Sequence, residues 1–472
     1  MDLAPLLERC FIFDAVEDSY TIGNISGNIP SWLRGSYYIN GPARFRRGAF
    51  QYKHWLDGDG MIAALHFSED GVRFVSRFVR SRKFRDEEAA GVPIYRGFGT
   101  SFSGDRLRRN VMLEAPVNVC VYPYAGRLLA FGEQTLPISL DPITLETLGD
   151  FDFNGRLNEV TPFSAHAKFD PETGHMGNFG ISYSPAHPVL NVYEFDDAGN
   201  LLSRRRHVLE AAHSIHDFGF SSGHFVIFTN PLVMDFGAFL QDGLSVSDSL
   251  KWQPESEVQI LAIPRDRSRT PFSVPVKFAY CLHFINCFEQ DGLLVVDLIE
   301  MDAPVYPEYQ PIPDLFSTAP LGRPVRYRID IQSCRVIDRS SMPYDRVPDF
   351  PSIPPQLYSR PCDSFWVLGM ESGGRTGRKF FDQIARCSWS SLNAEDIYRV
   401  KYGNYLAGEP IYIGNPSVPN EGVVILQHLI PASERVEYLI FDAFRLQQGP
   451  IATLPLKYPL HPGFHASFWP RN

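Results

Sequence analysis

Short apolar runs recur along the whole chain and alternate with turn residues. Examples are RLLAFGE (127–133), VLNVYEF (189–195), LLVVDLIEM (293–301) and GVVILQHLI (422–430). These runs are rich in the β-branched and aromatic residues that pack well in strands. The segments between them carry turn formers, as in DPETG and DDAGN. Many short strands with few helices between them predict a closed all-β fold, either a propeller or a large barrel.

Two segments, 1–11 and 389–400, have the pattern of amphipathic helices. No sequence repeat marks individual blades, and no Pro- or Gly-rich linker divides the chain. We therefore expect residues 1–472 to form a single domain.

Charge and composition argue against some classes of function and location. A net charge of −10 argues against a nucleic-acid partner, and the basic runs at 80–85 and 204–207 are predicted to be solvated strand ends or loops. Seven cysteines without a CxxC pair, behind an N-terminus without a signal-peptide pattern, predict a cytoplasmic protein. The chain lacks the apolar run of about 18 residues that a transmembrane helix needs. No obligate protein partner is inferred, and peripheral membrane contact stays open because composition does not reveal it.

The histidines are the residues that suggest chemistry. His213 and His216 lie ahead of an apparent hairpin, and in a strand only one of the two faces the interior. His166, His216, His283 and His465 each lie beside aromatic residues at the edge of a predicted strand. Each alone fits a core histidine, and only the set suggests a metal site. The remaining histidines are predicted to be loop residues at the surface (His54, His175, His187, His207, His461) or strand residues (His66, His428).

Several motifs resemble the carotenoid cleavage oxygenase family, in the family's order. They are NGPARF, HWLDGDGMIAALHF, SAHAKFDPETG, SIHDFGFSSGHFVIF, HFINCFEQDGLLVVD and HPGFHASFWP. The resemblance implies a seven-bladed β-propeller, with a cap of loops and short helices over one Fe²⁺ on its axis. It assigns the iron to four histidines, His166, His216, His283 and His465, so that His216 rather than His213 faces the metal.

The same resemblance implies three carboxylates that orient the histidine rings, Glu133, Asp349 and Glu409. The family usually has Glu where this chain has Asp349. Because Asp is one methylene shorter, either the imidazole must come closer or a water must bridge the gap. Val119 falls where several relatives carry a Thr beside the vacant iron position.

By resemblance, the chain is expected to be an Fe(II)-dependent dioxygenase that cleaves a C=C bond of a carotenoid or apocarotenoid with O₂, giving two carbonyl products. A stilbene-cleaving dioxygenase and a retinoid isomerase are alternatives within the family, and a non-catalytic binding propeller is a third. Stilbene cleavers carry a phenol-binding Lys just before the first carboxylate, where this chain has Gly132, which favours an apolar polyene. Such a substrate implies membrane contact, for which the segment 231–244 is the candidate.

Overall fold

Seven antiparallel sheets of four or five strands form a closed ring, which confirms the predicted all-β propeller. The computed structural model describes residues 6–183, 187–309, 316, 319–344, 346–370 and 379–471. We number the sheets as blades 1 to 7 in chain order. The predicted strand runs all fall on blade strands. The prediction of one domain over residues 1–472 stays a prediction.

Each blade is described from its innermost strand, next to the axis, to its outermost strand. Blade 1 comprises Ala466–Pro470, Gly35–Ala43, Asp59–Ser68, Gly71–Phe78 and Asp18–Thr21. Blade 2 comprises Cys120–Tyr124, Arg127–Phe131, Ile138–Leu140 and Thr147–Asp150, and blade 3 comprises Lys168–Phe169, Met176–Ser182, Val189–Phe195 and Leu201–Val208. Blade 4 comprises Gly219–Phe220, His224–Phe228, Val258–Pro264 and Phe272–Val276, and blade 5 comprises Tyr280–Gln290, Leu293–Met301, Gly322–Asp330 and Arg335–Ser341. Blade 6 comprises Val347–Ser352, Ser364–Met370, Phe381–Ser388 and Asn393–Arg399, and blade 7 comprises Tyr405–Gly414, Gly422–Ile430, Arg435–Asp442, Pro450–Pro455 and Ser26–Gly27.

The other elements are short and lie in connections. Two-stranded ribbons pair Arg46–Arg47 with Phe50–Gln51 and Leu232–Met234 with Leu250–Trp252. The helices are α (Arg82–Ala90, Val246–Ser249), 3₁₀ (Leu7–Cys10, Trp55–Asp57, Tyr306–Glu308, Pro355–Leu357, Pro431–Ser433, Leu446–Gln448) and π (Gly237–Gln241). Within the described residues, no helix is both long enough and apolar enough to cross a bilayer.

Both ends of the chain close the ring. The C-terminal strand Ala466–Pro470 pairs with Gly35–Ala43 in blade 1, with Ile39 opposite Ala466. Ser26–Gly27, the second strand along the chain, completes blade 7 by pairing with Pro450–Pro455. Closure removes free sheet edges at the junction and brings segments that are distant in sequence to one axis.

The two helix predictions were wrong. Residues 1–11 contain only the 3₁₀ turn Leu7–Cys10 among those described, and 389–400 contains the outer strand Asn393–Arg399 of blade 6. Asp396 gives this strand a buried polar anchor, because its carboxylate accepts the backbone N–H groups of Leu446 and Gln447 at 2.6 and 2.9 Å.

The basic run at 80–85 is not a solvated loop, because it begins the helix Arg82–Ala90. Ser81 caps this helix by accepting the N–H of Phe84. Lys83 is fully buried, and its ammonium pairs with Asp59 at 3.2 Å and Glu87 at 2.9 Å. These pairs satisfy a charge that would otherwise be excluded from the interior.

Two histidines predicted at the surface are buried. His54 is 1 % exposed, and its Nε2 donates to the carbonyl of Tyr306 at 2.8 Å. His461 is 3 % exposed; its ring stacks on Phe13 and its Nδ1 donates to the carbonyl of Cys10 at 2.8 Å. Both stand in polar, Pro- or Gly-containing sequence, but neighbouring connections cover them.

His461 predicts an acid-sensitive element of stability. Burial lowers its pKa from 6.5 to about 4, although the hydrogen bond to Cys10 opposes the shift. The unfolded chain therefore takes up this proton near pH 6.5 and the folded chain only near pH 4, so stability falls as the pH drops through that window. The free energy of unfolding, measured by urea titration, should drop between pH 7 and pH 5 in the wild type. In His461→Asn this drop should be smaller by about 2 kcal/mol. Equal losses in the two proteins would contradict the assignment.

Candidate metal centre

Four histidines meet on the propeller axis. Each lies on or next to the innermost strand of a different blade. His283 is within Tyr280–Gln290 of blade 5, and the others precede the inner strands of blade 3 (His166), blade 4 (His216) and blade 1 (His465). One ring nitrogen from each lies within 4.8 Å of those of the other three. The structure thus brings together the four histidines selected from the sequence.

Irregularities in the inner strands aim side chains at this point. The pairing register shifts around His283 in blade 5, after Asp349 in blade 6 and after Ala407 in blade 7. Phe350 has a φ of 52° and Gly408 a φ of 80°, both in the left-handed region. Such bulges bend a strand and redirect its side chains, and they commonly flank functional sites.

Three of the four rings are held by carboxylates. The Nδ1 atoms of His216, His283 and His465 lie 2.7, 2.5 and 3.2 Å from oxygens of Glu133, Asp349 and Glu409, respectively. Because a carboxylate oxygen accepts hydrogen bonds, Nδ1 is the donor at His283 and His465, and the close approach of Glu133 favours the same tautomer at His216. The tautomer leaves Nε2 as the metal-binding atom in these three rings.

The shorter Asp349 contacts its histidine directly. Its oxygen approaches His283 Nδ1 to 2.5 Å without a bridging water. It also accepts the backbone N–H of Phe350 at 2.8 Å and a hydrogen bond from the hydroxyl of Tyr309. A register shift follows Asp349 in its strand. Of the two alternatives weighed from the sequence, the direct contact is the one observed.

His166 is held differently. Its Nδ1 lies 3.9 Å from Cys120 Sγ and 3.8 Å from Asp217 Oδ1, and the second distance is too long for a hydrogen bond. Asp217 directly follows His216 but was not among the residues selected from the sequence. Its buried carboxylate accepts hydrogen bonds from Phe284 N–H and Lys168 Nζ.

Burial and the neighbouring charges set the protonation of the rings. Burial lowers the pKa of His166, with the other histidines adding to the effect, and it lowers the pKa of His465 against the pull of Glu409. For His283, burial also opposes the charged form, but Asp349 outweighs it and raises the pKa. His166 and His465 are therefore neutral near pH 7, as metal ligation requires.

The four rings fit a divalent transition metal. His283 Nε2 is buried in the cluster and has no hydrogen-bond partner among the described residues. His166 Nε2 and His216 Nε2 are 3.0 Å apart. Two nitrogens bound to one metal at about 2.1 Å and at right angles would be about 3.0 Å apart. Imidazole donors suit Fe, Zn, Cu and Ni, so the ligand set indicates a metal site without selecting the ion.

His213 lies outside the cluster. Its Nδ1 donates to the carbonyl of Asn230 at 2.8 Å, and its backbone bridges to Val233. The predicted hairpin is present as Gly219–Phe220 and His224–Phe228. Because both histidines precede it in irregular backbone, strand alternation does not decide between them.

Two other predicted positions have defined surroundings. Val119 is buried, and its carbonyl accepts the N–H of His465 at 3.3 Å. That Val119 occupies the position where several relatives carry Thr stays a prediction. Gly132 has no room for a side chain, because a Cβ there would lie 2.8 Å from the Cα of Val117. A larger residue at 132 would have to move backbone.

An axial cavity and an aromatic cap flank the cluster. The cavity, about 370 Å³ in volume, reaches His166, His283 and His465 between Tyr122 and Tyr358. On the side of His216, Tyr306 packs with its ring centroid 6.5 Å from the imidazole. Further buried or half-buried rings extend from Tyr306, three of them in connections (Phe98, Tyr309, Trp55) and one at the start of the inner strand of blade 5 (Tyr280).

The family model for the retinal pigment epithelial membrane protein, RPE65, matches residues 13–470. The chain belongs to this carotenoid oxygenase family. It is 30 % identical over 465 residues to apocarotenoid-15,15'-oxygenase of Synechocystis, covering 94 % of this chain and 93 % of that protein. It is 24 % identical to isoeugenol monooxygenase of Pseudomonas nitroreducens, with 95 % and 94 % covered, and to lignostilbene-α,β-dioxygenase isozyme III of Sphingomonas paucimobilis, with 94 % and 92 % covered.

Solved structures agree with this assignment. The cobalt-substituted Synechocystis apocarotenoid oxygenase superimposes with a TM-score of 0.90 at 27 % identity, with all of both chains covered. A chimera of that oxygenase with RPE65 gives a TM-score of 0.89 at 27 % identity, with 99 % of this chain and 98 % of the chimera covered. The apocarotenoid, isoeugenol and lignostilbene enzymes are all oxygenases, which indicates oxygenase-type chemistry for this site.

Replacing His216 tests the assignment of the ligand set. We expect His216→Ala to retain less than about a tenth of the wild-type metal content after purification, because one of four donors is lost. His213→Ala is the matched control and should bind metal normally. Elemental analysis by mass spectrometry measures both. Metal loss in His213→Ala with retention in His216→Ala would reverse the assignment.

Replacing Asp349 tests the role of the carboxylates. Asp349→Asn removes the charged acceptor of His283 Nδ1, and we expect metal affinity to fall about 10- to 100-fold in competition with a chromophoric chelator. Glu437→Gln is the control, since it removes a similar contact, 2.9 Å to His428 Nδ1, between the second and third strands of blade 7. Equal affinities in the two variants would argue against an orienting role.

Proposed function

We propose that this chain is a non-haem Fe(II) dioxygenase that cleaves a conjugated C=C bond of a carotenoid or apocarotenoid. O₂ is the co-substrate, and one oxygen atom goes to each of the two carbonyl products. The observation that carries the proposal is the cluster of four imidazoles, three of them held by carboxylates, on the axis of a carotenoid oxygenase fold.

The Fe²⁺ ion would be held by the four clustered histidines, His166, His216, His283 and His465. Four neutral imidazoles leave the ion its full charge of +2. Bound iron would supply the O₂ chemistry that amino-acid side chains lack. Glu133, Asp349 and Glu409 keep the rings oriented. Adding O₂ across a C=C bond with scission consumes and releases no proton, so the reaction needs no side chain as general acid or base.

The surroundings of the cluster favour a polyene over a phenol. Relatives of this chain include an apocarotenoid oxygenase as well as enzymes named for isoeugenol and lignostilbene. A phenol-binding Lys at position 132 would clash with the backbone of Val117. The phenols of Tyr280, Tyr306 and Tyr309 stay protonated, because burial raises their pKa well above 10. An uncharged aromatic cap excludes water and suits an apolar chain.

We further propose a cytoplasmic protein that contacts the membrane surface, since a polyene partitions into bilayers. Leu240 and Leu244 of the segment 231–244 are 40 % and 37 % exposed and would contribute to the contact. Leu232, Ala238 and Phe239 of the same segment are buried, so the contact would be smaller than its sequence indicates.

Product analysis under ¹⁸O₂ tests the proposed function. Iron-loaded protein is incubated separately with a carotenoid, an apocarotenal, a hydroxystilbene and a retinyl ester, and products are reduced at once because aldehyde oxygens exchange with water. We expect a polyene to give two carbonyl fragments with one ¹⁸O each. This cleavage activity should be lost on chelation and restored by Fe²⁺ but not by Zn²⁺.

Each alternative predicts a different outcome. Cleavage of the stilbene alone would favour a stilbene dioxygenase, and an isomerised retinoid product without ¹⁸O would favour an isomerase. Binding of a polyene without turnover in the iron-loaded protein would favour a binding propeller. Any of these results would overturn the proposed reaction.

A further inference from the structure

Asp217 carries a buried carboxylate that the proposed reaction does not use. Its side chain is 1 % exposed. One oxygen accepts the backbone N–H of Phe218 at 2.8 Å and lies 2.8 Å from Lys168 Nζ. The other accepts the backbone N–H of Phe284 at 2.8 Å. A buried charge of this kind is stable only when such donors surround it.

The three donors belong to segments that carry candidate metal ligands. Lys168 is two residues beyond His166 in blade 3, and Phe284 directly follows His283 in blade 5. Asp217 itself directly follows His216, at the entry to blade 4. One carboxylate therefore connects three of the four ligand segments, which come from three different blades.

Asp217 also accounts for the exception among the rings. Glu133, Asp349 and Glu409 each hold one imidazole by its Nδ1, whereas no carboxylate among the described residues lies within hydrogen-bond distance of His166 Nδ1. The segment of His166 is instead tied to Asp217 through Lys168. A second link joins the same blades, because Ser164 Oγ donates to the carbonyl of His216 at 3.2 Å.

We propose that Asp217 is a positioning residue, which sets the geometry of the four-histidine cluster by fixing the backbone of the segments that bear His166, His216 and His283. This proposal shares one premise with the proposed function, namely that the four-histidine cluster binds a divalent metal. It predicts that Asp217 affects metal affinity and ligand geometry more than it affects the stability of the metal-free fold.

The test uses the full chain, stripped by chelation and titrated with Co²⁺, whose visible absorption reports the arrangement of its ligands. Asp217→Asn keeps the size of the side chain, but its amide group cannot accept hydrogen bonds from all three donors. We expect the Co²⁺ dissociation constant to rise about 10- to 100-fold and the absorption bands to shift in position.

Asp297→Asn is the matched control. Asp297 is an equally buried aspartate of blade 5, and its carboxylate is held by Nε and an Nη atom of Arg326, each at 2.7 Å. Without metal, the melting temperature of Asp217→Asn should fall no more than that of Asp297→Asn. The control variant Asp297→Asn should bind Co²⁺ with the wild-type spectrum. A wild-type spectrum and affinity for Asp217→Asn, or equal losses of affinity in both variants, would overturn the proposal.

Hydrogen exchange in the wild-type chain gives a test that needs no folded variant. If Asp217 fixes these segments, the amides of Phe218 and Phe284 should stay protected after chelation, to about the degree of amides in the strand His224–Phe228. Rapid exchange of both amides once metal is removed would overturn the proposal. Failure of wild-type protein to bind any divalent metal would instead contradict the proposed function, and exchange would still decide the role of Asp217.

Discussion

The contact between an imidazole Nδ1 and a carboxylate is the interaction on which this site depends. It occurs three times around the axis, as a hydrogen bond at His283 (2.5 Å) and His465 (3.2 Å) and as a close nitrogen–oxygen contact at His216 (2.7 Å). Each contact sets the tautomer and the direction of a ring, and so presents a bare Nε2 to the centre. Without these contacts, the rings could rotate about their side-chain torsions and the four nitrogens would no longer face one point.

The closed ring of blades makes these contacts available. The histidines and their carboxylates come from blades 1 to 7, and only a circular arrangement brings them to one axis. The pairing of Ile39 with Ala466 positions His465, since the two ends of the chain meet in blade 1 next to that residue. Strand bulges at His283, Asp349 and Gly408 then make local adjustments that regular strands would not allow.

Much of the architecture could be predicted from local sequence, because the apolar runs of the strands are strong and their turns are clear. Asn393–Arg399 misled the prediction because its acidic and small residues are typical of a helix, although the strand forms a hairpin with the preceding strand Phe381–Ser388. Lys83, His54 and His461 look exposed because their neighbours in the sequence are mostly polar or are turn formers. Their burial depends on Asp59, Tyr306 and Phe13, respectively, which are distant in the sequence, so local pattern cannot place them next to these residues.

Some residues of the candidate site could likewise be selected from the sequence, and others could not. Motif resemblance identified the four histidines and the three carboxylates, while spacing alone left His213 and His216 equivalent. The role of Asp217 was invisible because two of its three partners, Lys168 and the amide of Phe284, come from other blades. Bulges escape sequence reasoning too, because they depend on the register of neighbouring strands.

X-ray absorption at the iron edge of the purified, iron-loaded protein tests the central claim most directly. We predict a first shell that contains four nitrogen scatterers at about 2.1 Å, with the multiple scattering typical of imidazole. A first shell with sulfur, or with fewer than four imidazoles, would contradict it.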